Sequence, residues 1–435
     1  MSTTLITAVA LFGVFFILLF AGVPISVSIA IATFVAALFL LPVDSSLLVT
    51  SQQIITGIDS FVLVALVFFM MAGSIMNNGG IAQRLINLAK LIGGRMSGSL
   101  AHTNVLGNML FGSISGSAIA SAATMGKIMG PQQKKEGYDP AYSAAVNIAS
   151  APTGQVIPPS GIPIIYSLLS GGTSIGALFI AGYVPGMLMA LLVLIVAYIL
   201  AKKNNYPVSD PVQWKEAFKI ILEAIPSLLL IVVVIGGIAA GVFTATEGAA
   251  VAVLYALLLS LIYRSLSIQD IPVILKETVV FSGMILLLVG ASTAMSWVMT
   301  FAEIPQTITN ALLSISDNYF VIMLMIAGLL LLVGIFMDVA PALLVFTPIL
   351  YPVATELGVD PVHFGMIMTM GLAIGVTTPP IGTVLFIGSS VSGVSIEKIV
   401  KPLFIFYIPL VVGLLLVTFI PEISLWLPRL LGVMD

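Results

Sequence analysis

Residues 137–161 read GYDPAYSAAVNIASAPTGQVIPPSG, and residues 358–382 read GVDPVHFGMIMTMGLAIGVTTPPIG. At this offset of 221 residues, both stretches begin with an Asp-Pro pair and end with a Pro-Pro-x-Gly segment, and Gly154 falls on Gly375. Three further pairs keep the register without a gap: Pro131 with Pro352, Gly137 with Gly358, and Gly172 with Gly393. So many Gly and Pro residues in one register indicate an internal duplication.

The composition places this duplication in a lipid bilayer. Of 435 residues, 60 % are hydrophobic and 8 % are charged, and the mean hydropathy is +1.20. A soluble domain has about 25 % charged residues, so soluble and disordered classes are excluded. Long apolar runs without strand alternation predict an all-α polytopic membrane protein. The candidate full spans are 5–21, 24–41, 60–76, 178–201, 221–241, 248–263, 279–299 and 403–420.

Charged residues indicate how the spans are oriented. Basic groups alternate along the chain with connections that lack them, which places both termini on the outer, periplasmic side if Lys and Arg mark cytoplasmic loops. The first Asp-Pro loop has Lys134 and Lys135 beside it, whereas the second has Glu356 and Asp360. The two loops therefore lie on opposite sides of the membrane, and the two repeats have inverted topology.

Inverted repeats require an odd number of crossings in each half, which is met if one segment per half enters the membrane and returns. A helix cannot continue through paired prolines, so a discontinuous helix follows each re-entrant segment. The first repeat is predicted at 1–220, with a re-entrant helical hairpin at 96–133 and a broken helix at 141–170. The second is predicted at 221–435, with a hairpin at 319–354 and a broken helix at 361–393.

The hairpin midpoints are candidate binding elements. Residues 112–118 read GSISGSA, and unwound carbonyls in such a segment can replace the hydration shell of a cation. Small residues also allow helices to pack closely without any ligand, which is the alternative interpretation. In the adjoining helix, Asn147 is either a ligand or a helix-packing amide.

Asp338 is the most informative single residue. It is the only charged residue between Asp317 and Glu356. A carboxylate near the bilayer midplane costs several kcal/mol unless it is paired, so a functional role is the first interpretation. The alternative is an N-cap that starts the second arm of the hairpin, with Pro341 in its first turn. Both interpretations can hold together.

Enzymatic and nucleic-acid functions find no support in the sequence. No nucleophile–base pair is apparent, and the single membrane aspartate does not suffice for an aspartyl protease. A Gly-rich phosphate loop with Lys is missing, so ATP is not used by this chain. Net charge is −3 and no basic cluster occurs, so nucleic acid is not a partner. The chain is predicted not to be an enzyme.

The Ser-Gly-Ser tip, the segment Met337-Asp338-Val339-Ala340-Pro341, the Asp-Pro loops and the twin Pro-Pro-x-Gly breaks together resemble one family. That family is the large membrane subunit of the tripartite ATP-independent periplasmic (TRAP) transporters. The resemblance implies sodium-coupled import of an organic acid, such as sialic acid or a C4-dicarboxylate, across the bacterial inner membrane. It further implies an elevator mechanism, with both hairpins and broken helices forming a transport domain and the remaining helices a scaffold.

The resemblance also implies partners and ligands. The partners are a small four-helix membrane subunit, expected as a separate polypeptide, and a soluble periplasmic substrate-binding protein. Substrate is expected near Ser117, Ser160 and Asp338. One sodium site is carried onto Ser113, Ser115, Gly116, Asn147 and Thr153, and the other onto Gly334, Met337, Gly375, Thr377 and Thr378, partly through carbonyls. The alternative function is an ion-coupled anion carrier or exchanger of similar fold that needs no binding protein.

Overall fold

The structure, a computed structural model, describes residues 3–209, 212–316 and 318–434, and within these ranges it is all-helical with no strand. Asp317, which borders the uncharged segment around Asp338, lies outside the described residues. The helices are α1 (Thr3–Phe20), α2 (Ile25–Ala37), α3 (Val43–Ile58), α4 (Val62–Asn78), α5 (Ile81–Gly93), α6 (Ser99–Ser115), α7 (Ala118–Lys135), α8 (Pro140–Ser150), α9 (Thr153–Val156), α10 (Gly161–Leu169), α11 (Ile175–Ala181), α12 (Tyr183–Lys203), α13 (Trp214–Ala239), α14 (Ala245–Ile262), α15 (Ile271–Phe301), α16 (Ile304–Ile315), α17 (Tyr319–Phe336), α18 (Val339–Glu356), α19 (Pro361–Gly375), α20 (Thr383–Ser392), α21 (Ile396–Phe419) and α22 (Glu422–Leu430).

Eight of the described helical segments are long and apolar enough to cross a membrane, and α3 with α4 forms a pair bent by 56°. This confirms the all-α polytopic prediction. The predicted span at 24–41 is wrong in extent, because α2 ends at Ala37. Its 13 residues rise about 20 Å, less than the roughly 30 Å hydrocarbon core. The chain turns after α2 and reaches Pro42, which starts the next helix.

Helix α3 was not expected, because a run with Asp44 and several polar residues reads as a connection. The carboxylate of Asp44 lies in the first turn of α3, where it is favourable beside the positive end of the helix dipole. Further along, α3 packs closely on α15. A Cβ added at Gly290 would lie 2.7 Å from the Ile54 carbonyl oxygen, so the backbones of the two helices touch there. Tertiary packing therefore stabilises a helix that hydropathy alone does not reveal.

The two hairpins reverse the chain in the same way. Gly116 and Ser117 join α6 to α7, and Met337 and Asp338 join α17 to α18 at the same offset of 221 residues. Gly116 has φ +62°, a left-handed conformation that glycine adopts without a Cβ penalty. The second residue of each linker is the N-cap of the returning arm. Two helices joined by two residues form each helical hairpin of the predicted fold class, and the arms of the second hairpin, α17 and α18, are each long enough to cross a membrane.

Both broken helices begin with the same capping device. The carboxylate of Asp139 accepts hydrogen bonds from the backbone N–H groups of Ala141 (2.6 Å) and Tyr142 (3.2 Å), and so starts α8. In the second repeat Asp360 caps α19 in the same manner. Proline follows in the first helical position, where its missing N–H has no cost. The repeated Asp-Pro pairs are therefore helix starts, and the repeated Pro-Pro pairs mark where these helices break.

Glycines place each hairpin against its broken helix. A Cβ on Gly112 of α6 would lie 2.7 Å from the Cα of Gly154, and a Cβ on Gly334 of α17 would lie 2.7 Å from the Cα of Gly375. Real Cβ atoms do not approach backbone this closely, so only glycine fits at these crossings. The end of each first arm therefore touches, backbone to backbone, the region where the neighbouring helix unwinds.

The second segments of the broken helices interlock the repeats. Helix α10 of the first repeat packs against α18, the returning arm of the second hairpin, and α20 packs reciprocally against α7. The Tyr166 hydroxyl on α10 donates a 2.7 Å hydrogen bond to the carbonyl of Pro361 in the second repeat. Each hairpin tip is thus held by both repeats, and the two tips are brought towards one place.

We expect Gly334→Ala to destabilise the folded protein by about 1–3 kcal/mol, because its methyl group would overlap the backbone of Gly375. Gly328→Ala is the matched control in the same helix, since a Cβ there meets nothing within 4 Å. Alanine at that position is expected to be neutral or slightly stabilising. Thermal unfolding of both variants in detergent measures the difference, and equal melting temperatures would contradict the backbone contact.

Candidate functional site

A cavity of about 320 Å³ lies between the two hairpin tips, and we call it the central cavity. Ser117 of the first tip, Ser160 of the first helix break and Asp338 of the second tip all line it. These are the three residues that the family resemblance implies around substrate. Remote parts of the sequence are thus brought to one cavity by the inverted repeat.

Two buried side-chain oxygens at the central cavity have no hydrogen-bond partner within the described residues. The Ser160 hydroxyl and the Gln155 carbonyl oxygen form no hydrogen bond within the described residues, although Ser160 is 1 % and Gln155 5 % exposed. Buried polar groups are nearly always paired with protein, water or a ligand. Gln155 was missed by sequence reasoning, because a single amide next to a helix break carries no pattern. Both groups are available to a bound molecule.

The carboxylate of Asp338 has two roles in the geometry. One oxygen accepts a 2.9 Å hydrogen bond from the Val339 N–H, so Asp338 caps α18 as the alternative interpretation predicts. The residue also lines the central cavity. Among the described residues the ion pairs are Lys219–Glu223 and Arg429–Glu422, so no basic side chain neutralises Asp338. A carboxylate without a basic partner remains free to bind donors of a ligand.

Three helix N-termini meet at the central cavity. Ser117 precedes α7, Ser160 precedes α10, and Asp338 precedes α18. Ser117 accepts a 3.3 Å hydrogen bond from the Ala120 N–H, whereas the side chain of Ser160 makes no such bond to α10. Helix N-termini carry partial positive charge and exposed N–H groups, which favour anions. The cavity therefore combines three positive helix ends with one carboxylate.

Two helices contribute only apolar side chains to the lining of the central cavity. Helix α4 contributes Leu66, Phe69 and Met70, and helix α15 contributes Phe281, Met284, Ile285 and Leu288. The polar groups of the cavity come from the hairpin tips and the first helix break. A polar ligand would accordingly form its hydrogen bonds with one wall and only van der Waals contacts with the other.

The structure divides the first predicted sodium set. Ser115 and Gly116 line the central cavity, whereas Ser113 lines a separate apolar cavity beside Tyr183. The hydroxyl of Ser113 donates to the Leu110 carbonyl (2.9 Å), and that of Thr153 donates to the Ser150 carbonyl (2.6 Å). The lone pairs of these hydroxyl oxygens remain available. However, no hydrogen bond within the described residues joins the members of this set, and they do not share one cavity.

Asn147, also in the first set, lies in a buried amide network centred on Asn108. The Asn147 amide donates to the Ala122 carbonyl (2.8 Å) and accepts from Asn108 (3.0 Å). Asn108 further approaches Ser150 at 2.8 Å and accepts from Ser121 at 2.7 Å. The network joins both hairpin arms to α8, which is the geometry of a helix-packing amide. Asn108 was missed, although Asn104 and Asn108 at a spacing of four residues are a polar signal on α6.

The second predicted sodium set is brought together. Gly334 and Gly375 touch, and the Gly382 N–H donates a 2.9 Å hydrogen bond to the Ile335 carbonyl, which ties the break to the tip beside Met337. Thr377 and Thr378 direct their hydroxyls to the Ile374 carbonyl, at 2.7 and 3.2 Å. The Tyr407 hydroxyl, on α21, donates a hydrogen bond to the Thr377 carbonyl. Hydroxyl and carbonyl oxygens are the hard ligands that suit a small cation, so this donor set fits sodium.

Two repeats whose hairpin tips and helix breaks line one cavity in a membrane protein are typical of secondary transporters. A solved structure with the same fold is the YdaH transporter of Alcanivorax borkumensis, with a TM-score of 0.57 and 15 % identity over 89 % of each chain. Residues 12–423 match the model of the tripartite ATP-independent periplasmic transporter, DctM component. The chain belongs to this family, as the sequence motifs predict.

Relatives across the full length agree with this assignment. The protein YgiK of Salmonella typhimurium is 51 % identical over 97 % of both chains. The sialic acid TRAP transporter large permease protein SiaM of Vibrio cholerae is 39 % identical, covering 95 % of this chain and 96 % of its own. The C4-dicarboxylate TRAP transporter large permease protein DctM of Rhodobacter capsulatus is 32 % identical, covering 98 % and 100 %. A multi-pass protein of this family lies in the inner membrane.

The central cavity can be tested for access by thiol labelling, since the chain contains no cysteine. We expect Ser117→Cys to react with a methanethiosulfonate reagent, because residue 117 is half-buried and lines the cavity. Ser121→Cys, four residues further on α7, is the control, because Ser121 is fully buried in the Asn108 network. Mass spectrometry of the intact protein measures the adduct. Equal labelling of both variants would show that residue 117 is no more accessible than the buried residue 121.

Proposed function

We propose that the chain is the permease through which an organic acid enters the cell, driven by sodium and delivered by a periplasmic binding protein. The observation that supports this most directly is the central cavity, where three helix N-termini face unpaired polar groups in a membrane protein of this family. The positive helix ends suit a substrate carboxylate. A small four-helix membrane subunit completes the proposed complex.

The carboxylate of Asp338 narrows the proposed substrate. A substrate carboxylate held near α7 and α10 leaves Asp338 facing the rest of the molecule. A simple dicarboxylate would place its second anion near Asp338, where the two charges repel each other. A polyhydroxylated acid would instead donate hydroxyl or amide hydrogens to Asp338. We therefore favour a sialic-acid-like substrate, the class named for one full-length relative, over a C4-dicarboxylate.

Sodium coupling is proposed for the second site, at Gly334, Met337, Gly375, Thr377 and Thr378. The carbonyls at the end of α17 cannot all be used within the helix. The Val333 and Ile335 carbonyls accept from Met337 and Gly382, and the Gly334 carbonyl accepts no backbone N–H within the described residues. Inward movement of one charge through 100 mV supplies about 2.3 kcal/mol. A second ion is proposed at Ser115 and Gly116, the two members of the first set that line one cavity together.

We further propose an elevator movement, which is supported by the difference between the polar and the apolar parts of the central cavity lining. Substrate hydrogen bonds would all be made to the hairpins and helix breaks, which we propose as the transport domain. Helices α4 and α15 present only apolar side chains, and we assign them to the scaffold. Sliding along such a wall breaks no hydrogen bond with the substrate. In the proposed orientation, both termini are periplasmic and Lys134 and Lys135 are cytoplasmic.

We expect Thr377→Val to raise the sodium concentration for half-maximal uptake at least tenfold, because the variant loses one hydroxyl of the site. Thr369→Val is the control, since Thr369 is buried in α19, the helix that ends just before Thr377, and its hydroxyl donates only to the Gly365 carbonyl within the described residues. Uptake is measured in proteoliposomes with the small subunit and the binding protein. Uptake that persists without a sodium gradient would disprove coupling, and uptake without the binding protein would favour the independent exchanger.

We expect Asp338→Asn to fold normally, because asparagine is as good an N-cap as aspartate. Transport should nevertheless fall about 100-fold or more, since the variant loses the charged acceptor in the central cavity. Asp360→Asn is the matched control, as Asp360 caps α19 in a loop that does not line the central cavity. Equal transport by both variants would leave Asp338 with its capping role alone.

A further inference from the structure

A second cavity, of about 490 Å³, lies between α6, α7, α8 and α20, away from the hairpin tips. We call it the basic cavity. It borders the start of α8 at Pro140, and its lining includes Lys127 and Lys134 but no acidic residue. The proposed function of the chain makes no use of this cavity. Its chemistry therefore has to be explained separately.

Two buried polar groups in the basic cavity have no partner. The Asn104 side-chain nitrogen forms no hydrogen bond within the described residues, although the residue is 1 % exposed. Its oxygen is occupied by the amide of Asn108 at 3.0 Å, which leaves the NH₂ group as an unused donor. The hydroxyl of Ser143, 8 % exposed, is also unpaired. Both residues line the cavity, so an acceptor is what would satisfy them.

The two lysines lie on the same face of α7. Lys127 and Lys134 are seven residues apart, which is about two helical turns. Both are exposed, and neither forms an ion pair within the described residues. Glu136 is the nearest carboxylate in sequence, but it does not line the cavity and forms no ion pair within the described residues. Asp139, the next one, accepts hydrogen bonds from the first N–H groups of α8. The cavity therefore presents two ammonium groups without a protein counter-charge.

The second repeat serves as an internal comparison. At the offset of 221 residues, Asn104, Ser143 and Asn147 correspond to Met325, Phe364 and Met368. Lys127 and Lys134 correspond to Pro348 and Thr355. The same arrangement of hairpin and broken helix is thus built without any of these donors. The amides, the hydroxyl and the lysines of the first repeat are not required by the architecture.

We propose that the basic cavity binds an oxyanion of the phosphate class, held by Lys127, Lys134, the Asn104 amide and the Ser143 hydroxyl. Ammonium groups and neutral donors without any acid are the ligand set of an anion. The oxyanion is either free phosphate or the headgroup of an anionic phospholipid. Because α20 of the second repeat lines the cavity through Gly388, Val391 and Ser392, the bound anion would stabilise the contact between the repeats.

The first experiment uses the full chain in a neutral detergent, at constant ionic strength. Inorganic phosphate replacing chloride should raise the melting temperature by about 2 °C or more, since a ligand that binds only the folded state stabilises it. Lys134→Gln should lose at least half of this rise. Lys135→Gln is the matched control, because Lys135 is adjacent, equally charged and outside the cavity lining.

The second experiment distinguishes the lipid source. Delipidated protein is mixed with phosphatidylglycerol, and native mass spectrometry counts the bound lipids. If the headgroup is the ligand, Lys134→Gln retains one lipid fewer than Lys135→Gln, and Lys127→Gln behaves like Lys134→Gln. If free phosphate is the ligand, the lipid counts agree and only the melting shift differs. No melting shift together with equal lipid counts, or equal responses of Lys134→Gln and Lys135→Gln in both experiments, would overturn the proposal.

Discussion

The contact between backbones at Gly112–Gly154 and Gly334–Gly375 is the constraint on which the rest of the structure depends. Unwound backbone cannot face hydrocarbon, because each unpaired N–H or C=O there costs several kcal/mol. Direct glycine contact brings the end of each hairpin arm against the broken helix, so protein rather than lipid surrounds the unwound segment. Any side chain at these crossings would separate the two elements and expose the break. The carbonyl groups of the unwound segments are then surrounded by protein and can serve as ligands.

The duplication gives both repeats the same arrangement of helices, and their functional differences lie at equivalent positions that have different residues. The N-cap of the returning arm is Ser117 in the first hairpin and Asp338 in the second, with the same backbone role. One copy thereby adds a hydroxyl and the other a negative charge to the same cavity. The amide network around Asn108 likewise has no counterpart, since Leu329 occupies the equivalent position. The internal symmetry determines the position of each side chain in the two repeats, whereas the residue type at that position can differ.

The hairpins and the breaks could be predicted because glycine, proline and aspartate act locally, whereas the grouping of Ser117, Ser160 and Asp338 came from the family resemblance. A capping Asp-Pro or a paired proline has the same effect wherever it occurs. Helix α3 and the short α2 could not be predicted, since the first depends on packing against α15 and the second on where the chain turns. Gln155 lay beyond sequence reasoning for a related reason: its importance arises only from burial without a partner.

If the central cavity binds an organic acid, as we propose, the unpaired carboxylate of Asp338 in the same cavity requires the substrate to be oriented. Helix N-termini attract anions within about one turn, and so favour the substrate carboxylate at the α7 and α10 ends of the cavity. Asp338 repels that group but accepts hydrogen bonds from its neutral donors. The two influences oppose each other for a bare carboxylate and cooperate for an acid with hydroxyl groups at its other end. Because α4 and α15 offer only apolar surface, this orientation does not depend on the wall along which the substrate would move.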